Sequence, residues 1–270
     1  MLNPNSLDGL CAALSYALGV EPPKNASPAN PDLTAYVDRV FQGEKADRLI
    51  MFNPDAVAQW LYEKYPAFFL EAKNRIDLEV PMQTVMPSVT PVCFGTMYTG
   101  AQPAVHGIQK YEKPVITIDT FFDALIRAGK KPVIISHHKS SSMSIIYKRE
   151  DRPMDYYVCN TFSEANAVAA ELILKDEHDV IIIYNGNYDH AMHHNGPESP
   201  IALGELRGNV LTFSLFCELI KRNWKHHNTL IGFGMDHGCH EIDGNSGSHG
   251  LDMEEDLNIV HLYKGYPKQK

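Results

Sequence analysis

The stretch "DVIIIYN", residues 179–185, limits the fold more than any other part of the chain. A run of aliphatic, β-branched residues this dense shows no polar alternation, so it fits a strand covered on both faces better than one with a wet side. Comparable runs recur at "RLIMF" (48–52), "QTVMPSV" (83–89), "KPVIIS" (131–136), "TLIGFG" (229–234) and "NIVHLY" (258–263). Helical stretches separate them: "DAVAQWLYEKYPAFF" (55–69), "TIDTFFDALIRAG" (117–129, strand into helix), "SEANAVAAELILKD" (163–176, with Ser163 as cap), and a long helix over 200–223. This alternation predicts an α/β fold with a mostly parallel central sheet and helices on both faces.

The first 47 residues predict two helices, one capped near Ser6 and one over 33–43, as an N-terminal embellishment on a catalytic domain of residues 48–270. Short extended pieces, "SIIYK" (144–148) and "DYYVC" (155–159), mark residues 137–160 as a small insertion, a cap or substrate element. Its charges Lys139, Lys148 and Arg149 are candidates for leaving-group contacts or for a solvated face.

Charge excludes some functions. Lys plus Arg number 24 against 33 Asp plus Glu, a formal charge of -9, so a stable nucleic-acid partner is not expected. An anionic substrate would need local positive charge, which bound cations supply. The five cysteines form no CxxC pair, and the N-terminus lacks a basic start, so reduced thiols and a cytoplasmic location are expected. No apolar run is long enough to span a membrane.

In parallel sheets the loops beyond the carboxyl ends of the strands carry the functional groups. Following each strong strand to its end gives Asp55, Thr90, Asp189, and Asp236 with His237. In "YDHAMHHNGP", Asp189 and His193 are four residues apart and share a face if the segment is helical, a spacing suited to a divalent metal or to a plain surface pair. His190 and His194 point elsewhere on such a turn, with His194 a candidate to line the pocket. His249 lies in a Gly and Ser rich loop that packing alone would not hold; it is either a metal ligand or a solvated histidine, and His240 and Asp243 accompany it. Thr90, followed by Pro91, reads as a helix N-cap, and a helix N-terminus also favours a bound phosphate.

Four blocks, "FNPDA", "TPVCFGTMYTGAQPAVHGI", "DHAMHHNGP", and "MDHG" followed by "SHG", resemble the alkaline phosphatase superfamily, nearest its type I phosphodiesterase and nucleotide pyrophosphatase branch. The resemblance implies one metal held by Asp55, Asp236 and His237 with Thr90 as its bound nucleophile, and a second held by Asp189, His193 and His249. Zinc is the metal implied, with manganese as the alternative. His106 matches a position with a role in loop structure. Cys93 stands where related phosphodiesterases commonly have an asparagine that donates to a phosphoryl oxygen, and a thiol is a weaker donor. The implied activity is two-metal hydrolysis of a phosphodiester or pyrophosphate bond in a small metabolite, through a covalent phosphothreonine. The alternatives are a phosphomonoesterase or phosphonate hydrolase on the same scaffold, and a non-catalytic metal-binding module.

Overall fold

A computed structural model describes residues 1–137, 142–149 and 151–269. The strands are β1 (Asn5–Ser6), β2 (Arg48–Pro54), β3 (Leu78–Gln83), β4 (Pro132–His137), β5 (Asp155–Cys159), β6 (Val180–Asn185), β7 (Thr229–Phe233), β8 (His240–Ile242), β9 (Ser246–Ser248) and β10 (Asn258–Tyr266). Before β4 come helices α1 (Gly9–Ala17), α2 (Pro31–Val40), α3 (Gln59–Lys64), α4 (Leu70–Lys73), α5 (Thr90–Thr99), α6 (Pro103–His106) and α7 (Phe121–Arg127). After it come α8 (Ser142–Ile146), α9 (Phe162–Lys175), α10 (Asn187–Asn195), α11 (Pro200–Asn223) and α12 (Glu254–Leu257).

Eight strands form one sheet in the order β1-β3-β10-β7-β2-β6-β4-β5, while β8 and β9 form a separate hairpin. All strands of the large sheet run the same way except β10, which is antiparallel to both β3 and β7. The centre is the pair β2 and β6, every residue of β6 being buried. Each isoleucine of that strand contributes about 1.5–3 kcal/mol by leaving water. Two successive residues of β2 show that both faces are covered. The ring of Phe52 packs against Phe216 of α11, at 5.8 Å between centroids. Its neighbour Asn53 points the other way and accepts a hydrogen bond from Tyr98 of α5, at 2.6 Å.

The expected strand at 83–89 lies earlier. β3 ends at Gln83, and the proline at 87, which has no N–H for a ladder, falls in the link that follows. The stretch 55–69 is helical only in α3, because Pro66 cannot continue it. Residues 117–119 form no strand, and α7 begins with a capping box between Thr120 and Asp123. The extended piece expected at 144–148 is instead part of α8 and the turn after it, with Met143, Ile146 and Tyr147 buried at helical spacing. The cap of α9 is Thr161, not Ser163; its hydroxyl accepts from the Glu164 amide at 3.1 Å. Helix α1 follows Asp8 rather than Ser6, which belongs to β1. The N-terminal segment enters the same core: Leu7, Leu10 and Leu14 are buried, and β1 pairs with β3. Among the described residues no helix is long and apolar enough to cross a membrane, and all five cysteines are buried and unpaired.

Candidate active site

Three parallel strands deliver acids to one rim of the sheet. Asp55 follows the last residue of β2, Asp189 lies in the first turn of α10 just beyond β6, and Asp236 is the third residue after β7. Thr90 arrives by a link of six residues, 84–89, beyond β3. The cap of α5 is Val89, in extended conformation and with no side-chain bond, so Thr90 is the first helical residue and not the cap. This one-residue shift matters chemically. A capping threonine ties its oxygen to a backbone amide, whereas the Thr90 hydroxyl stands 3.3 Å from Asp55 Oδ2 and 3.2 Å from His237 Nε2.

The side chains gather into two sets, Asp55 with Asp236 and His237, and Asp189 with His193 and His249. In the second, His193 Nε2 lies 3.1 Å from His249 Nε2, and Asp189 Oδ1 lies 3.2 Å and 3.3 Å from these two nitrogens. The rings of His237 and His249 are 4.1 Å apart, so the two sets adjoin. Every one of these imidazoles turns Nδ1 to a backbone carbonyl: His193 to Gly247 at 2.8 Å, His237 to Gly238 at 2.9 Å and His249 to Ser88 at 3.1 Å. Each Nδ1–H is thereby used as a donor, and each Nε2 presents its lone pair to the centre. Two such lone pairs 3.1 Å apart repel unless a proton or a cation lies between them.

The acids give the same signal. Asp236 Oδ2 and Asp189 Oδ1, one from each set, are buried oxygens without an aligned hydrogen bond. Burial and the charge of Asp189 push the Asp55 carboxyl up to about 7, and burial with the charge of Asp55 raises Asp236 well above the usual carboxylate range. Burial works against the charge of Asp189 too, but the imidazoles of His193 and His249 beside it hold it low. Its carboxylate in turn raises His193 to about 9, whereas burial and the nearby His249 depress His237. The cluster is short of positive charge, and a divalent cation at each set would supply it. The mixed nitrogen and oxygen donors suit zinc or manganese.

Beside this cluster lies a cavity of about 280 Å³ lined by Asp55, Thr90, Asp189 and His190, with an aromatic wall of Tyr111, His137, Phe162 and Tyr184.

A sequence model of the family "Type I phosphodiesterase / nucleotide pyrophosphatase" matches residues 49–266. The chain belongs to that family. As a type I phosphodiesterase family member it also shares its fold with murine ectonucleotide pyrophosphatase/phosphodiesterase 5, at 16% identity and a TM-score of 0.59 over 73% of this chain. The human protein of the same name gives 16% identity, a TM-score of 0.58 and the same 73%. An inactive variant of the murine protein, solved in complex with AMP, gives 15%, 0.59 and 73%. The chain spans 58% of the length of the murine and human proteins and 59% of that of the variant. No curated protein matches it in sequence.

In this family member the six expected carboxylate and imidazole ligands fall into the two sets and Thr90 lies beside the first, but Cys93 and His194 are not among the residues that line the cavity. Cys93 is buried within α5, at hydrogen-bond distance from Thr84 Oγ1 (3.2 Å), because a position three residues into the helix turns back toward β3. His194 is exposed, its Nδ1 donating to the carbonyl of His190, and His190 is the member of that pair at the cavity. Lys148 is exposed and Arg149 pairs with Asp151 at 2.7 Å; Lys139 lies outside the described residues. His106 is neutral and structural, pushed down to about 4 by burial, with Nδ1 accepting from the Ile108 amide at 3.3 Å and Nε2 facing Thr96 Oγ1 at 3.1 Å. His240 donates to buried Asp256 at 2.7 Å, and Asp243 is exposed in the hairpin turn.

Sequence reasoning missed Tyr184, whose hydroxyl donates to Asp55 Oδ2 at 2.6 Å. The sign was present: Tyr184 is the polar-tipped residue at the carboxyl end of the most apolar strand. Gly186 belongs with it, since a Cβ there would lie 2.4 Å from the Tyr184 oxygen. Tyr111 and Phe162 carried no such sign.

Proposed function

We propose that this protein hydrolyses a phosphodiester or pyrophosphate bond in a small phosphate ester, with Thr90 as nucleophile. The observation that carries this is the inward turn of three Nε2 atoms, each held from the other side by a backbone carbonyl, in two adjoining sets, the first of which faces a hydroxyl that its helix does not use. Asp55, Asp236 and His237 would hold one divalent cation and Asp189, His193 and His249 the other. Such cations, when bound, neutralise phosphoryl charge and favour loss of a proton from a hydroxyl.

The chain's own residues account for positioning. Tyr184 fixes one oxygen of Asp55, and Asp55 and His237 fix the Thr90 hydroxyl with its oxygen at the cavity. In-line attack by Thr90 Oγ1 on phosphorus forms one P–O bond and breaks the bond to the leaving group, giving a phosphothreonine that water then cleaves. The aromatic wall suits a leaving group with a flat ring, and AMP bound to the murine relative supports a phosphate ester as ligand.

The test compares zinc-loaded protein on bis(p-nitrophenyl) phosphate and on p-nitrophenyl phosphate. Preference for the diester is expected, and absence of turnover on both, and on nucleotide pyrophosphates, would leave the metal-binding module as the better reading.

A further inference from the structure

A transferring phosphoryl group needs hydrogen-bond donors for its non-bridging oxygens, and Cys93 does not provide one. Two other donors on the aromatic wall of the cavity are committed. Tyr184 donates to Asp55 at 2.6 Å, and His137 Nε2 faces the carbonyl of Asn160 at 2.9 Å. Tyr111 differs: it lines the same cavity as Thr90, and among the described residues nothing accepts a hydrogen bond from its phenol. It sits at the rim, 62% exposed, where a ligand entering the cavity passes it. The cavity it lines is also lined by Asp55 and Asp189, one from each set.

A cation accompanies it. Lys113 Nζ lies 5.4 Å from the centre of the Tyr111 ring. A cation over the ring face draws density from the ring and strengthens its O–H as a donor. We propose that Tyr111 donates its phenolic hydrogen to a non-bridging oxygen of the substrate's phosphoryl group, with Lys113 supporting it from the ring face. This rests on the phosphoesterase reading above.

The experiment uses the full chain loaded with zinc and the variant Tyr111→Phe, which keeps the ring and removes only the donor. Turnover of bis(p-nitrophenyl) phosphate is expected to fall about 10²-fold, mostly in kcat rather than KM. Binding of inorganic phosphate, followed by titration calorimetry, should weaken about tenfold while zinc content stays unchanged. Lys113→Met should give a smaller loss that shrinks further at high salt. If Tyr111→Phe matches wild type in both turnover and phosphate binding while Tyr111→Ala is impaired, the ring is only a wall and the proposal fails. Wild-type protein that neither turns over a phosphorus ester nor binds phosphate would overturn the phosphoesterase reading as well.

Discussion

At the scale of single residues, Thr90 and His249 make separable contributions. Thr90→Ala removes the proposed nucleophile and leaves the six carboxylates and imidazoles of the two sets in place, so turnover is expected to fall by at least about 10³-fold with zinc content unchanged by elemental analysis. Equal activity would end the nucleophile assignment. His249→Ala opens only the set of Asp189 and His193, so one of two metals is expected to be lost, read as the stoichiometry after dialysis. The strand ends alone pointed to Asp55, Asp189, Asp236 and His237, and the resemblance added His193 and His249; the structure brings these six into two groups. The residues that orient them were not legible in the sequence. Ser88, Gly238 and Gly247 act through backbone carbonyls, which any residue type carries. Cys93 and His194 do not line the cavity, because on their helices the thiol turns to Thr84 and the imidazole to the carbonyl of His190.

The element that decides the site is the β8–β9 hairpin. Its sequence, poor in apolar residues, left open a flexible loop of solvated histidines, but it is docked at several points. Gly244 and Asn245 take positive φ of 86° and 58° in the turn. Ser246 donates to the carbonyl of His193, and a Cβ on Gly247 would lie 2.4 Å from Met192 Sδ, so the hairpin lies flat against α10. At its base the buried carboxylate of Asp256 accepts from His240 Nδ1 at 2.7 Å and from the Leu251 amide at 2.8 Å, clasping the loop on both sides of His249. Asp256→Ala leaves both donors unmatched and is expected to cost about 1–3 kcal/mol of stability. Zinc affinity at the His249 set should fall about 10–100-fold. Calorimetric titration separates the two sets; equal loss at both would point to general unfolding instead. Such polar clasps escape hydrophobic periodicity, which did locate β2, β4, β6, β7 and β10.

For the whole molecule, the six ligands hang on three neighbouring strands and the hairpin, so cations would bind the folded chain far better than the unfolded one. Chelation is therefore expected to lower the melting temperature. A bound ion at a hundred times its dissociation constant adds about 2.7 kcal/mol, and differential scanning calorimetry with and without a chelator measures the shift. An unchanged melting temperature on removing zinc from a loaded sample would argue that the sets do not hold metal in the folded state. The fold class was readable because parallel strands buried on both faces spell themselves as solid aliphatic runs. The reach of the core into the first residues was not, because α1 is short and its contacts are with distant elements such as α5 and α7.

The antiparallel position of β10 sets the order in which this machinery can come into existence on a ribosome. Among the described residues β10 follows every other strand in the chain, yet it is the plank between β3 and β7. Until residues 258–266 emerge, the strand leading to Thr90 has no bonded link to the strands that carry Asp55, Asp189 and Asp236. Nascent chains stalled before Asn258 would hold every side chain of the candidate site and are expected to be inert, because Thr90 and the two sets would hang from two unjoined pieces of sheet. Joining so late is slow, since the partners are far apart along the chain, and the exposed edges of β3 and β7 are what a chaperone would have to guard in the interval.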